Sequence, residues 1–220
     1  YNGVVLWKRQ QPDWYPTHVQ WGTTPVHLHR RLVAVGDRVY LTDGLAGPVI
    51  AAAVILDPDR PIQGLRDSKK LSEKRRNQLN ETIRSQALCF AYGRAEVLEI
   101  DEINIFHASL LAMQRAVNAL PVRPQHALVD GKFPPDVDCK VTTIIGGDDK
   151  EDAIAAASII AKVKRDLEMV RLHELYPDYG FDRHKGYPTK LHLEALLRNG
   201  VTEHHRRSFR PVKNVLVQGG

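Results

Sequence analysis

Ile144-Ile-Gly-Gly-Asp-Asp-Lys-Glu-Asp-Ala-Ile-Ala-Ala-Ala-Ser-Ile-Ile-Ala-Lys-Val-Lys164 is the stretch whose reading decides the fold. An apolar strand, Val141 to Ile145, breaks at two glycines into Asp148 and Asp149, and a long alanine- and isoleucine-rich helix follows. Ala155, Ala156, Ile159, Ile160 and Val163 give that helix a broad apolar face, while Lys162, Lys164 and Arg165 keep it polar elsewhere. This is the pattern of a buried crossover helix with a polar N-terminal end. Taken alone, Asp148 would read as a helix N-cap. A second carboxylate in a like setting shifts the balance: His126-Ala-Leu-Val-Asp-Gly131 is a short apolar strand that ends in Asp130. Two strands thus deliver an aspartate at their C-terminal ends, where open α/β sheets build their sites.

With 220 residues, 43% of them hydrophobic, the chain is long enough to bury a full core as one domain. Its longest apolar runs fall far short of a bilayer span and no charged-then-apolar leader opens it, so the expectation is a cytoplasmic protein without a membrane association. Cys89 and Cys139 have no closely spaced partner and read as reduced thiols. The net charge of +5 permits nucleic-acid binding without requiring it. Placement says more. Basic residues gather at Lys69-Lys70, Lys74 to Arg76, Arg183 to Lys185 and His204 to Arg207, segments that can converge to track a phosphate backbone or simply form solvated faces.

Residues 1–30 stand apart as an atypical N-terminal extension to a domain spanning 31–220. They hold all three tryptophans among prolines and histidines, without sustained periodicity, and His18, His27 and His29 lack the partners of a metal site. Strands are expected over Leu32 to Val39, Leu45 to Leu56 and Leu88 to Tyr92. Helices are expected over residues 70–86, capped by Ser68 or Ser72, over Val97 to Leu120 with Met113 as core, and over Lys190 to Arg198 between a Thr189 cap and Gly200. The order indicates a mixed α/β sheet flanked by helices, with two crossover helices between the later strands and a C-terminal helical segment.

Six separated motifs then coincide: DSKKLSEKRR (67–76), EIDEINI (99–105), VDGK (129–132), GGDD with IAAASIIAKVKRD, YGFDRHKGYPTKLHLEAL (179–196) and HHRRSFRPVK (204–213). From about Leu45 to Lys213 the chain resembles bacterial ribonuclease HII. The resemblance implies a ribonuclease H-like fold and an endoribonuclease that hydrolyses the RNA strand of RNA-DNA hybrids. It also implies nicking at ribonucleotides embedded in duplex DNA, by a monomer that uses Mn2+ or Mg2+. Two divalent ions about 3.5–4 Å apart need several carboxylates converging from different strands, with positions left open for water and phosphate. The resemblance assigns Asp37, Asp130 and Asp148 as catalytic metal ligands. It gives Tyr187 as the aromatic that stacks on the sugar beside the scissile junction, with Ser158, Lys162 and Lys185 as further substrate-binding positions.

The first-strand motif departs from the family. Where the family has Asp-Glu-Val-Gly-Arg-Gly, this chain reads Gly36-Asp37-Arg38-Val39-Tyr40-Leu41-Thr42-Asp43-Gly44. Asp37 aligns with the first ligand, Arg38 replaces the glutamate, and the glycine loop that reads the ribose 2′-hydroxyl is absent, with Asp43 as a substitute carboxylate. The alternative reading is therefore a catalytically impaired relative that binds nucleic acid through the retained basic face.

Overall fold

The computed structural model describes residues 32–36, as backbone, and 44–218. Its strands are β1 (Leu32–Gly36), β2 (Val49–Ile55), β3 (Cys89–Ala95), β4 (His126–Asp130) and β5 (Lys140–Ile144). They form one mixed sheet in the order β3-β2-β1-β4-β5, antiparallel from β3 to β1 and parallel from β1 to β5. The helices are α1 (Glu73–Gln86), α2 (Val97–Asn118), α3 (Asp152–Leu175), α4 (Phe181–His184), α5 (Lys190–Asn199) and α6 (Arg210–Gln218). No described helix is long and apolar enough to cross a membrane.

β2 explains the layering. Successive side chains of a strand point to opposite faces. Val49, Ala51, Ala53 and Ile55 pack under Ala108, Ala112, Met113 and Ala116 of α2, whereas Ala52 and Val54 pack against Ala156, Ile159 and Ile160 of α3 and Leu79 and Ile83 of α1. Every β2 residue is therefore buried, which is why its sequence is a continuous apolar run instead of an alternating one. The small residues set the spacing. A Cβ on Gly93 of β3 would lie 1.9 Å from the Ala112 carbonyl oxygen, so α2 rests directly on the strand backbone. In so dense a core, truncating Ile159 or Ile160 to alanine costs about 2–5 kcal/mol.

The termini of the elements follow their local chemistry. Of the two serines considered as caps for α1, Ser72 does the capping, accepting from the Arg75 amide. Glu96 and Glu99 form a reciprocal capping box at the start of α2, and Thr189 caps α5 through the His192 amide. Two expectations are corrected. The apolar run from Leu45 is not one strand, because Gly47 at φ +84° and Pro48 detach residues 44–48 from the sheet, and Ala46 instead bridges to His205. Only α2 crosses between later strands, since β4 passes to its parallel neighbour β5 through the loop 131–139. The expectations for residues 1–30 and 37–43 lie outside the described residues.

Candidate active site

The parallel half of the sheet places its chain ends on one edge. Asp130, the last residue of β4, is paired in register with Ile144, the last residue of β5, and β1 runs parallel beside β4. The Asp130 side chain is 7% exposed, and its Oδ1 accepts a hydrogen bond from the Gly147 amide at 3.0 Å. That bond ties the β4 end to the turn after β5. Asp148 and Asp149 sit there in a single 3₁₀ turn, Gly147–Asp149, ahead of α3. Asp148 is not the N-cap of α3, which is Glu151, so its carboxylate is not committed to capping.

A loop from the other side of α3 closes on this turn. Oxygens of Asp67, Asp148 and Asp149 lie within 4.8 Å of one another. Asp67 accepts from the Lys69 amide at 2.8 Å, an Asx turn that shapes the loop 67–70, and Lys70 Nζ meets Asp149 Oδ2 at 2.6 Å. Below, the buried Ser68 and Ser158 hydroxyls share a hydrogen bond of 3.1 Å, and Arg76 Nη1 donates to the Ser68 carbonyl at 2.8 Å. Partial burial, and after it repulsion from Asp130, Asp67 and Asp149, raises the Asp148 carboxyl to about 6. Lys69 opposes that rise weakly.

Tyr187 lies beside α3. Its half-buried ring lies 5.7 Å from Lys162 Nζ and 5.7 Å from Arg165 Cζ, both on α3. Lys162 pairs with Asp166 at 2.5 Å, and burial lowers its pKa. Gly186 holds φ +82° because residues 44–47 press against it: Leu45 N donates to the Gly186 carbonyl at 2.7 Å, and a Cβ on Gly186 would meet the Ala46 carbonyl oxygen at 2.7 Å. Arg165, wholly buried, donates to the Lys185 carbonyl at 2.7 Å and the Ala46 carbonyl at 3.3 Å. Arg206, equally buried, donates to the Gly47 carbonyl at 3.0 Å.

The residues singled out in the sequence thus divide. Asp130 and Asp148 come together at the sheet edge, and Tyr187 lies beside Lys162 of α3. Ser158 is 3% exposed and meets Ser68. Lys185 turns its ammonium onto the Asp182 carbonyl. Asp37 and its substitute Asp43 lie outside the described residues. Two of the four basic clusters are only partly open faces: His184, His205 and Arg206 are buried, with hydrogen bonds to backbone, to Thr202 and to His192, while Arg183 and Arg207 stay exposed. Asp67 was missed. An Asp-Ser-Lys-Lys loop carries no acidic signal of its own, and only the fold brings Asp67 to Asp148. The EIDEINI and HHRRSF motifs prove to be one joint, as the Asp101 carboxylate accepts from the Arg207 and Ser208 amides and the Ser208 hydroxyl at 2.9, 2.8 and 2.6 Å.

The acidic edge suits a hard divalent cation. Its donors are carboxylate oxygens, and the Asp148 carboxyl is raised by burial first and then by repulsion from its acidic neighbours, which a cation relieves. A cleft of about 190 Å³, mostly apolar and lined by Phe106, Met113, Lys132 and Phe133, opens beside Asp130.

The fold is that of ribonuclease H-like nucleases. Ribonuclease H2 from Pyrococcus horikoshii OT3 superposes with a TM-score of 0.71 at 23% identity, over 85% of this chain and 97% of that one. The Bst ribonuclease HIII in complex with Mn2+ superposes at 0.66 and 18% identity, over 92% of this chain and 76% of that one. At the sequence level the ribonuclease HII family model matches residues 43–212. Ribonuclease HII of Marinomonas sp. (strain MWYL1) is 56% identical over 173 residues, 78% of this chain and 87% of that protein. The chain belongs to the ribonuclease HII family of metal-dependent endoribonucleases.

Proposed function

We propose that this protein hydrolyses the RNA strand of RNA-DNA hybrids and nicks duplex DNA at embedded ribonucleotides, acting as a cytoplasmic monomer. The observation that carries the proposal is the crowding of Asp148 by Asp130, Asp67 and Asp149 at the sheet edge. Asp130 and Asp148 hold Mg2+ or Mn2+, joined by Asp37, which follows the β1 end beside β4. Bound there, a pair of such ions activates water and neutralises charge on the phosphate. The chain's own part is positioning. The Gly147 amide orients the Asp130 carboxylate, the Ser68–Ser158 bond seats the lysine-bearing loop, and Lys162 lends positive charge beside the Tyr187 ring. Tyr187 stacks on the sugar, and the exposed Lys69 and Lys70 face the phosphates, whereas Lys185 spends its ammonium on the Asp182 carbonyl.

The second reading, a relative that binds hybrids without cutting them, is favoured by Arg38 and by the absence of the glycine loop. One assay separates the two. Duplexes with one ribonucleotide, full hybrids and all-DNA duplexes are incubated in Mg2+ and in Mn2+, with chelator controls. Nicking confined to the ribonucleotide, and abolished by chelator, is expected. Tight binding with no cleavage in either ion would install the second reading, and Arg38→Glu should then restore part of the activity.

A further inference from the structure

Behind Tyr187 lie three histidines that the site chemistry does not use. His184, His192 and His205 are 7%, 0% and 0% exposed, enclosed by Tyr179 and Phe181. The hydrogen bonds around them leave one arrangement of protons. The Thr202 amide donates to His205 Nδ1 at 3.0 Å, so the His205 proton sits on Nε2. That nitrogen faces His192 Nε2 at 3.2 Å, which must accept. His192 therefore carries its proton on Nδ1, 2.9 Å from the Tyr187 carbonyl oxygen. The far end demands the same polarity independently, because a carbonyl can only accept. His184 repeats the logic: it accepts from the Gly186 amide at Nδ1, donates from Nε2 to the Tyr179 carbonyl at 2.7 Å, and stacks on His192 at 4.3 Å.

We infer that His205 and His192 form a one-way hydrogen-bond relay from the Thr202 amide to the Tyr187 carbonyl, making both histidines positioning residues for sugar recognition at the cleavage junction. The inference rests on the function proposed above. The relay is suited to that task by its rigidity. One outer end is the Tyr187 carbonyl, the other is the Thr202 amide with the Thr202 hydroxyl beside it at 2.8 Å, and all four ring nitrogens of the relay have a partner. Tyr187 is therefore aimed by a buried module whose far end is anchored in the 202–206 segment, and that segment also holds Leu45 and Gly47. A ring 1 Å out of place would lose its stack on the sugar, whereas phosphate contacts spread over many cations would hardly change.

Two measurements test it. The first needs no activity: nitrogen-15 histidine spectra of the wild-type chain at neutral pH should show His192 as the neutral Nδ1–H tautomer and His205 as the neutral Nε2–H tautomer. The reverse tautomer at either ring overturns the relay, whatever the enzyme does. The second compares His192→Leu with His192→Asn, whose amide can still donate to the Tyr187 carbonyl. His192→Leu should lower nicking at a single ribonucleotide about tenfold, as expected for one lost buried hydrogen bond, with duplex affinity nearly unchanged. His192→Asn should recover most of that rate. Added to Tyr187→Ala, His192→Leu should cost nothing more, and losses that multiply would show that His192 does not act through Tyr187. If the wild type fails to nick, the function proposal falls and the tautomer measurement still decides the relay.

Discussion

The acidic edge and the histidine pocket handle buried polarity in opposite ways. On the acidic edge, Asp130, Asp148, Asp67 and Asp149 are gathered until one of them is held near pKa 6 by burial and by its neighbours' charge. In the histidine pocket, burial drives His192 down to about 4 and His205 to about 3, and the neutral rings satisfy one another and the backbone. One region keeps its charges in mutual conflict and the other discards charge altogether. Conflict at a sheet edge is what a cation-binding reactive site requires. A fully satisfied, neutral network is what a mounting requires.

The largest effect should come from breaking the acidic edge. Asp130→Asn and Asp148→Asn each remove an anionic oxygen, and the loss of metal-based charge stabilisation, several kcal/mol, is about a thousandfold in nicking rate. Thermal stability should respond the other way at Asp148, where the amide relieves repulsion, so an unchanged or raised Tm is expected from scanning calorimetry. Asp130→Asn loses the charge that accepts from the Gly147 amide, and its Tm should not rise. Full activity in either variant would remove the carboxylate assignment.

The histidine pocket should instead break with acid. Both folded-state pKa values lie below the ordinary value of 6.5, so as pH falls below 6.5 the unfolded chain takes up protons that the folded chain refuses. The neutral rings' contribution is complete above pH 6.5 and declines toward pH 4, by up to about 1.4 kcal/mol per pH unit for each ring. Urea unfolding at pH 7 and pH 5 should show this loss, and a His192→Asn, His205→Gln double variant should show a shallower one. Equal slopes would mean that the rings already take up protons in the folded state.

These regions were not equally legible beforehand. Asp130 and Asp148 could be found because an apolar run ending in Asp-Gly or Gly-Gly-Asp marks a strand end, and strand ends are local. The same holds for the Ser72 and Thr189 caps. Asp67 sits in a polar loop without periodicity, and its approach to Asp148 depends on α1 packing against α3 through Leu79, Ile83 and Ile160. The histidines misled for a related reason. A run such as His204-His205-Arg206-Arg207 reads as a charged surface, yet its middle pair, His205 and Arg206, turns inward once Gly47 and Pro48 lead residues 44–48 off the sheet and give Arg206 a carbonyl to hold.

Tyr187 links the two regions in the function proposed above, and Tyr187→Ala should have an intermediate effect. Stacking on one sugar or base is worth about 1–3 kcal/mol, so cleavage at a single ribonucleotide should fall about tenfold or more while affinity for an all-DNA duplex of the same length stays within about twofold. Parallel losses on both duplexes would make the tyrosine a packing residue. The comparison would then lose its link, because the histidine relay would aim a side chain with no role in selection.

The smallest effect is expected at Asp149, and it sharpens the reading of the acidic edge from within. Asp149 shares the turn with Asp148 and, like it, has an oxygen within 4.8 Å of Asp67, so proximity alone would give the two aspartates equal roles. Their surroundings differ. Asp148 is half-buried and faces repulsive carboxylates, whereas the Asp149 side chain is 43% exposed and already meets Lys70 at 2.6 Å. An exposed pair of this kind contributes little to stability, and a carboxylate already neutralised by an ammonium gains less from a metal than one held in repulsion. Asp149→Asn should therefore leave nicking within about threefold of wild type and Tm essentially unchanged. It should mainly release Lys70, seen as a modest shift in the salt dependence of duplex binding. A loss as deep as that of Asp148→Asn would place Asp149 among the metal ligands, with Lys70 displaced when the ion binds.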